Sequence, residues 1–516
     1  MRRSAWILFV VLAGSISLPA QNTFIMDFDS VQMDNNAPAY SVVELSDGGY
    51  LVGSIQRWHD GDTTGRTHVI LRRTNPSGQV THERAIHHNV NKTFNNGLFG
   101  AMVRSDTLLV SGITTYGPNP YECSLDLYWF NEDGDTVATK KLLSYTTQDS
   151  SFIQHWQTVR TLDGGYALCG VYGPPNENGQ AIIVRTTAQG DTLWVRTYGH
   201  PNEEENAYSL CELEDGGFII SGIHLGGGPL NNHMLIRTDS SGNQIWRRQY
   251  GELGWMVPSV RMAPDDNIIT YSDYKEGLGS AAWQQIELRK WDLNGVVVWS
   301  KKSHWSPNSS SVPGDFEVLD DGSIICSIWH SGACQIAKFD ANGDSLWSRG
   351  YVVYTYWGGS ENMPYDIDPT SDGGFVICGE TEQGSNDPTP GLQTMFLIKT
   401  DSLGCVVPGC HLVGVEEYAI DLQQHLSIWP NPVAPGGTVT VELSPPGGAD
   451  LGPVELVVQD VMGREVRREN MVRTGAGVQT TFSPSSGATH LASGTYLLHL
   501  VSDGKWLAGG KLNIQH

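Results

Sequence analysis

The sequence predicts an all-β protein with two parts, a seven-bladed β-propeller followed by a small Ig-like β-sandwich. Two observations predict the propeller: a turn motif of the Asp-Gly-Gly type recurs seven times at steps of 50 to 59 residues, and each repeat holds four short β-type segments. Alternating strands after a Pro-rich entry near residue 426 predict the sandwich. No helical periodicity opposes this prediction.

Composition changes along the chain predict its division into parts. Residues 1–20 are predicted to be a signal peptide, because two arginines precede an apolar run that ends near the small residue Ala20. We expect the propeller over residues 21–411, a linker over 412–425 and the second domain over 426–516. No segment holds the roughly 18–20 apolar residues that a membrane helix needs, so no transmembrane segment is predicted.

The charge balance limits the kind of partner. The chain has 32 basic and 56 acidic residues and a formal net charge of −24. A field of this sign repels phosphate backbones, so nucleic acid is excluded as a partner. We interpret the acidity as a solubility feature of an exported protein and expect a monomer.

The repeat is clearest at four Asp-Gly-Gly turns, and three weaker copies fill the gaps. Gly suits these turns because tight hairpins require positive φ angles. The first residues of the seven copies are Asp47, Asp106, Asp163, Asp215, Asp266, Asp321 and Asp372. In the fourth repeat the pattern predicts strands over residues 208–213, 218–222, 233–238 and 244–250.

The seventh repeat has no obvious fourth strand, since the segment from Cys405 to Cys410 contains a Pro-Gly kink. A sheet left in this way has an open edge. The segment 23–29 is strand-like but belongs to no repeat. We predict that it becomes the fourth strand of the last blade and closes the ring. Cys405 and Cys410 also bracket a loop that could close a local disulfide.

Four repeats carry a Trp four residues after the Gly of the last turn, namely Trp194, Trp246, Trp299 and Trp347. This Gly-x-x-x-Trp pattern resembles the tryptophan-docking repeats of quinoprotein-type propellers. The resemblance implies that each ring packs between neighbouring blades, which is also the expected use of a large ring at a repeated position. The preceding Asp is one residue closer than in that family, so quinone binding is not implied and no cofactor is predicted.

Motifs that carry chemistry are sparse. The Asp-rich turns at 131–135 and 340–344 could suit calcium, but they lack the downstream Glu of an EF-hand, so we interpret them as hairpin turns and predict no metal site. No nucleophile elbow, zinc-binding helix motif or phosphate-binding loop occurs, so no catalytic residue is assigned. Cys169, Cys326 and Cys378 take equivalent repeat positions and are predicted to be buried free thiols.

The connections between strands predict a working face. Turns from the first to the second strand and from the third to the fourth are short, whereas the other connections are long and emerge together on one face. Aromatic residues there suit stacking on sugar rings or anchoring a protein. The candidate binding residues are Trp58, His59, Tyr116, Trp255, Trp305, Trp329, Tyr356 and Trp357.

The sequence leaves two functions open. The first is a non-catalytic protein that binds a glycan or a protein on the long-loop face. The second is a carbohydrate-active enzyme, a lyase or hydrolase, in which loop carboxylates supply general acid and base. Its candidate carboxylates are Asp60, Glu203, Glu204 and Glu361.

Four spaced motifs occur in order in roughly the last 90 residues. Their residues are Pro430, Asn431 and Pro432, then Gly463, then Gly494 and Tyr496, and finally Lys511. In these motifs the segment resembles the type A C-terminal sorting domain of type IX secretion cargo. The resemblance implies recognition by the type IX machinery, export across the outer membrane of a Gram-negative cell, and a secreted or surface location.

Overall fold

The chain is seen in a computed structural model, and most of the residues that it describes lie in strands. Among those residues no helix is long and apolar enough to cross a membrane. The predicted signal peptide, residues 1–20, lies outside the described part. The described residues are 22–28, 38–58, 66–86, 102–116, 122–146, 152–174, 177–200, 202–225, 232–251, 258–276, 283–303, 310–353, 361–383, 393–407, 410, 418–420, 422, 425–434, 436–444, 452–460, 464–475, 477–485, 490–502 and 505–515.

Strand β1 (Phe24–Phe28) precedes a series of antiparallel sheets made of consecutive strands. The first sheet contains β2 (Ala39–Glu44), β3 (Tyr50–Trp58), β4 (Arg66–Thr74) and β5 (Val80–Ile86). The second contains β6 (Val103–Ser105), β7 (Leu108–Tyr116), β8 (Glu122–Phe130) and β9 (Thr136–Thr146). The third contains β10 (Phe152–Arg160), β11 (Tyr166–Gly173), β12 (Gln180–Thr186) and β13 (Thr192–Tyr198).

Four further sheets continue this order. The fourth contains β14 (Glu204–Glu212), β15 (Phe218–Leu225), β16 (Asn232–Thr238) and β17 (Gln244–Tyr250). The fifth contains β18 (Ser259–Met262), β19 (Ile268–Glu276), β20 (Trp283–Trp291) and β21 (Val297–Ser303). The sixth contains β22 (Ser311–Val318), β23 (Ile324–His330), β24 (Ala333–Phe339) and β25 (Ser345–Val352). The seventh contains β26 (Glu361–Pro369), β27 (Phe375–Glu382) and β28 (Gln393–Thr400).

The N-terminal strand completes the seventh sheet. Strand β1 pairs antiparallel with β28, with Phe24 opposite Lys399, and the sheet order is β1-β28-β27-β26. After β28 the chain enters the segment in which a disulfide joins Cys405 to Cys410. The outer edge of the last sheet is therefore paired by a strand from the other end of the propeller sequence.

The short turns are held by their own side chains. In the first turn of the first sheet, Asp47 Oδ1 accepts a hydrogen bond from the Gly49 backbone N–H at 3.0 Å. In the Asp-rich turn of the sixth sheet, Asp340 Oδ1 accepts from the backbone N–H groups of Asn342 and Asp344, each at 2.9 Å. The turn at 131–135 is built in the same way. These carboxylate and amide oxygens serve hairpin geometry.

Neighbouring sheets interlock through an aromatic ring on one and a glycine turn on the next. A Cβ added to Gly242 would lie 2.9 Å from the Trp194 ring, and one added to Gly343 would lie 2.9 Å from the Trp299 ring. The Trp194 indole N–H also donates to Ser240 O at 3.2 Å. The same kind of contact joins Trp246 to Gly295, Trp347 to Gly404, Trp129 to Gly190 and, at the closure, Phe24 to Gly78.

The core between neighbouring sheets is apolar. Seven clusters of buried side chains in the described residues before position 411 each combine two adjacent sheets. One of them joins Val376 of the seventh sheet to Val42 of the first. Sheets that pack face to face in a closed series define a β-propeller. Cys169, Cys326 and Cys378 lie in these clusters as free thiols, and burial raises their pKa.

The end of the predicted linker contains a strand. Strand β29 (Tyr418–Ile420) pairs in parallel with β25 and gives the sixth sheet a fifth strand. A segment of three residues is too short for an alternation pattern to reveal, so the sequence indicated only a linker. Nearby, the Leu422 backbone N–H donates to Leu507 O at 2.9 Å.

The C-terminal part is a sandwich of two four-stranded antiparallel sheets. Its strands are β30 (Leu426–Trp429), β31 (Val439–Leu443), β32 (Val454–Asp460), β33 (Glu465–Asn470), β34 (Val472–Thr474), β35 (Gly477–Phe482), β36 (Gly494–Ser502) and β37 (Lys505–Ile514). The sheet orders are β30-β31-β35-β34 and β33-β32-β36-β37. Val441 of one sheet and Leu456 and Leu500 of the other belong to a single buried cluster.

Candidate functional site

The long connections place the candidate site. In every propeller sheet the first strand begins, and the second strand ends, at the face that carries these connections. In the seventh sheet, β26 begins at Glu361 and β27 ends at Glu382. Glu361 and Glu382 are register partners, and Met363 and Glu380 form the next pair on the same side of the sheet. Three carboxylates therefore meet at the long-loop face.

The carboxylates have different surroundings. Glu380 is 5% exposed, and the Tyr365 hydroxyl donates to its Oε1 at 2.6 Å. The pKa of Glu380 is raised to about 7. Burial is the main cause, the charge of Glu382 adds to it, and the hydrogen bond from Tyr365 opposes both. Glu380 is therefore divided between its neutral and ionised forms near neutral pH.

Glu361 links this group to the neighbouring sheet. Burial and the charge of Glu382 raise the pKa of Glu361, while the nearby indole N–H of Trp329 opposes them without forming a regular hydrogen bond. Trp329 is half-buried near the end of β23, so the site spans the sixth and seventh sheets. On the other side, the ring of Tyr365 lies 4.9 Å from the ring of Tyr40 in the first sheet. The carboxylates are thus flanked by aromatic rings from three sheets.

Only part of the predicted site can be placed. Trp329 and Glu361 come together as described, whereas Glu203 and Glu204 lie at the start of β14 in the fourth sheet, away from this group. The backbones of Trp58 and Tyr116 lie in strands, but their side chains are outside the described part. The predicted residues that lie entirely outside the described part are His59, Asp60, Trp255, Trp305, Tyr356 and Trp357.

Sequence reasoning missed Glu380 and Glu382. The signal was available, because both follow Gly379 at alternate positions of a strand, and alternate residues share a face. The third and fourth sheets have Val171 and Ile223 where the seventh has Glu380. The equivalent residue is apolar in four of the other six repeats and polar in the first and fifth, where it is Ser54 and Asp273. A carboxylate at a mostly apolar repeat position marks a functional candidate. Tyr40 and Tyr365 gave no such signal.

A second charged group lies on the innermost strands. First strands of neighbouring sheets contact one another, which places them nearest the axis of the ring. Arg261 binds Asp315 Oδ2 at 2.8 Å and Glu317 Oε1 at 2.7 Å. Burial and the charge of Asp315 raise the pKa of Asp366 to about 8, and burial raises that of Asp368 strongly. Arg261 thus pairs with two carboxyl groups, and its charge also acts on Asp366 and Asp368. Burial raises the pKa of Glu317 as well.

Comparisons with known proteins assign neither a family nor an activity to this chain. No family model and no curated protein match the sequence. The β-propeller domain of the Trilobed protease from Pyrococcus furiosus is similar at 8% identity, covering 72% of this chain and 97% of that one, with a TM-score of 0.42. An α-L-arabinanase from Penicillium chrysogenum shows 11% identity, coverage of 62% and 97%, and a TM-score of 0.40.

A third similar structure is the α-L-arabinofuranosidase Arb93A from Fusarium graminearum. It shares 11% identity, the match covers 74% of this chain and 98% of that one, and the TM-score is 0.40. Sequence identities and TM-scores this low do not allow the activity of these proteins to be assigned to this chain. The assignment to the β-propeller class rests on the sheet order and closure of this chain.

Proposed function

We propose that this chain is a non-catalytic binding protein whose seven-bladed propeller holds an extracellular glycan on its long-loop face. The observation that carries the proposal is the group of Glu361, Glu380 and Glu382 beside Trp329 at that face. Ionised carboxylates accept hydrogen bonds from hydroxyl groups, and an aromatic ring offers an apolar face to a sugar ring. A protein ligand is the other class of partner that suits such a surface.

The test is a glycan array probed with the chain lacking residues 1–20, with every hit followed for substrate depletion. Saturable binding without turnover, lost in Trp329→Ala, supports the proposal. Trp429→Ala is the matched control, because Trp429 is an exposed Trp of the C-terminal sandwich. Silence across the array, or hits that survive Trp329→Ala, contradicts glycan binding at this site and directs the search to proteins.

A carbohydrate-active enzyme is the second candidate, and one observation favours it. Glu380 has a pKa of about 7 while the partly exposed Glu382 lies next to it on the same strand. A carboxyl group with a raised pKa beside a second carboxyl group is the pairing used for general acid and base catalysis of glycoside cleavage. Turnover of an array hit that stops in Glu380→Gln would establish this alternative.

We propose further that the protein is exported by the type IX machinery of a Gram-negative bacterium, with residues 426–516 as its Ig-like sorting domain. In support, two of the spaced motifs are in contact. Asn431 Nδ2 donates to Lys511 O at 2.7 Å, and the Asn513 backbone N–H donates to Asn431 Oδ1 at 3.0 Å. The Tyr496 hydroxyl donates to Ala492 O, while Gly463 is outside the described part.

The export proposal is tested with residues 426–516 fused to a periplasmic reporter in a bacterium that has the type IX system. We expect the reporter at the surface or in the medium, and we expect Asn431→Ala to reduce its export because the last strand loses two hydrogen bonds. Retention of the unmodified fusion in the periplasm contradicts the proposal.

A further inference from the structure

A separate cluster of metal-binding residue types lies at the long-loop face of the fourth sheet. Glu203 precedes β14, and Glu205 within β14 is the register partner of His224 near the end of β15. One ligand atom from each of the three lies within 4.8 Å of the others. Glu205 is 0% and His224 is 6% exposed, so the cluster is built into the sheet and is not a patch of solvated acids.

Arg247 of β17 forms an ion pair with one of the two carboxylates, Glu205. Its Nη2 contacts Glu205 Oε1, and the His200 backbone N–H donates to Glu205 Oε2 at 3.1 Å. A buried carboxylate requires such compensation. Glu205 Oε1 lies 3.1 Å from His224 Nδ1, and Arg247 Nη2 lies 3.2 Å from the same nitrogen. In the tautomer that carries the proton on Nδ1, Glu205 accepts the Nδ1–H and the lone pair is on Nε2, so a metal ion at Nε2 would select this tautomer.

His224 Nε2 faces the second carboxylate. It lies 3.9 Å from Glu203 Oε2, which exceeds a hydrogen-bond distance. Two ligand atoms that each bind a zinc-like ion at 2.0–2.2 Å are separated by roughly 3.3–4.2 Å, so this spacing fits one shared cation. Metal-binding imidazoles also commonly donate the other ring N–H to a carboxylate, which is the role Glu205 has here.

The charges agree with this assignment. The cluster contains two carboxyl groups, those of Glu203 and Glu205, and one guanidinium group, that of Arg247. The Glu203 side chain is 35% exposed, so further coordination positions are open to water or to a ligand. We propose that Glu203 and His224 bind a divalent metal ion of the zinc class, with Glu205 and Arg247 orienting the imidazole. This site is independent of the proposed glycan site in the seventh sheet.

The experiment is a Zn²⁺ titration of the full chain after removal of metals with EDTA, followed by calorimetry. We expect Glu203→Gln and His224→Gln each to weaken binding by more than the roughly 10–100-fold that loss of an outer-shell partner costs. Glu204→Gln is the charge-matched control, because Glu204 and Glu205 are successive residues of β14 and so face opposite sides of the sheet. His330→Gln is the imidazole control, since His330 bonds Ser311 Oγ at 2.8 Å.

Each outcome is decisive. Binding that is lost in Glu203→Gln and kept in both controls supports the site. A wild-type chain that binds no Zn²⁺, binding that survives Glu203→Gln, or equal losses in Glu203→Gln and Glu204→Gln overturns it, the last because it indicates general attraction by negative charge. The fold of Glu203→Gln is checked by thermal unfolding in EDTA. We expect the same midpoint as for the wild type, because Glu203 is partly exposed.

Discussion

The Asp366 carboxylate accepts a hydrogen bond from the backbone N–H of Val42 at 2.9 Å and so joins the last propeller sheet to the first across 324 positions of the chain. The same kind of bond recurs between earlier sheets. A side chain on one first strand accepts from a backbone N–H of the next, as Ser41 does from Met102, Gln157 from Leu210 and Ser209 from Val260. The last and first sheets are therefore joined by the same kind of hydrogen bond that joins earlier neighbouring sheets.

Asp366→Asn tests the pH dependence of this closure. The pKa of Asp366 is about 8 in the folded chain against an ordinary 3.8, so the folded state holds an extra proton between about pH 4 and pH 8. Stability must then fall as the pH rises through that window. The variant keeps an oxygen for Val42 and loses the part of the slope that Asp366 contributes, while Asp368 and Glu380 keep theirs. Its thermal midpoint at pH 8 is therefore expected to exceed that of the wild type.

The control for this experiment is Asp340→Asn. Backbone N–H donors lower the pKa of the Asp340 carboxyl, so its contribution changes below about pH 4 and leaves the slope between pH 4 and pH 8 unaltered. An unchanged slope in Asp366→Asn would show that the neutral carboxyl lies elsewhere.

Gly242→Ala tests the contact between rings and glycine turns. Gly242 has a φ of 78° and Gly373 a φ of 83°, so Ala strains the backbone at both positions by about 1–2 kcal/mol. A Cβ at Gly242 would lie 2.7 Å from Arg196 Cγ and 2.9 Å from the Trp194 ring, whereas a Cβ at Gly373 meets nothing within 4 Å. Urea denaturation should show Gly242→Ala to be less stable than Gly373→Ala by about 1–3 kcal/mol. Equal losses would contradict the docking role of Trp194.

Phe24 variants test the closure by the N-terminal strand. The Phe24 ring lies against Gly78 and 6.0 Å from the ring of Tyr50, in the place that Trp takes at other interfaces. Phe24→Ala is expected to lower the free energy of unfolding by about 2–4 kcal/mol. Phe24→Trp restores a large ring and is expected to stay near the wild type. If Phe24→Ala unfolds at the wild-type urea concentration, β1 contributes little to the closure.

Glu380→Gln tests the pH response of the candidate glycan site. The ionised form of Glu380 accepts more hydrogen bonds than the neutral form, so wild-type affinity for a glycan hit is expected to fall as the pH drops through about 7. In Glu380→Gln this change should disappear, while Glu382→Gln should keep a transition because Glu380 remains. Identical pH profiles for the wild type and Glu380→Gln would separate Glu380 from binding.

The elements that could be predicted from sequence are those made by local interactions. The four strands of the fourth sheet, including residues 244–250, and the hairpin turn from Asp340 follow from alternation and turn chemistry within a few residues. The repeated Trp positions also followed from spacing, because every repeat presents the same face to its neighbour. The strand at Tyr418–Ile420 could not be foreseen, since its pairing with β25 depends on a distant edge.

By itself, the sequence determined the all-β repeat, the short turns, the disulfide loop and the strand-like segment at the N-terminus, because each depends on neighbouring residues. Only the tertiary structure decided which side chains meet. Glu361 was visible as a carboxylate, but its pairing with Glu382 and Trp329 comes from register and from packing between sheets. Glu203 likewise meets His224 only through the pairing of β14 with β15. Functional groups in a propeller come from separate strands, so strand pairing and the packing of neighbouring sheets assemble what no local pattern contains.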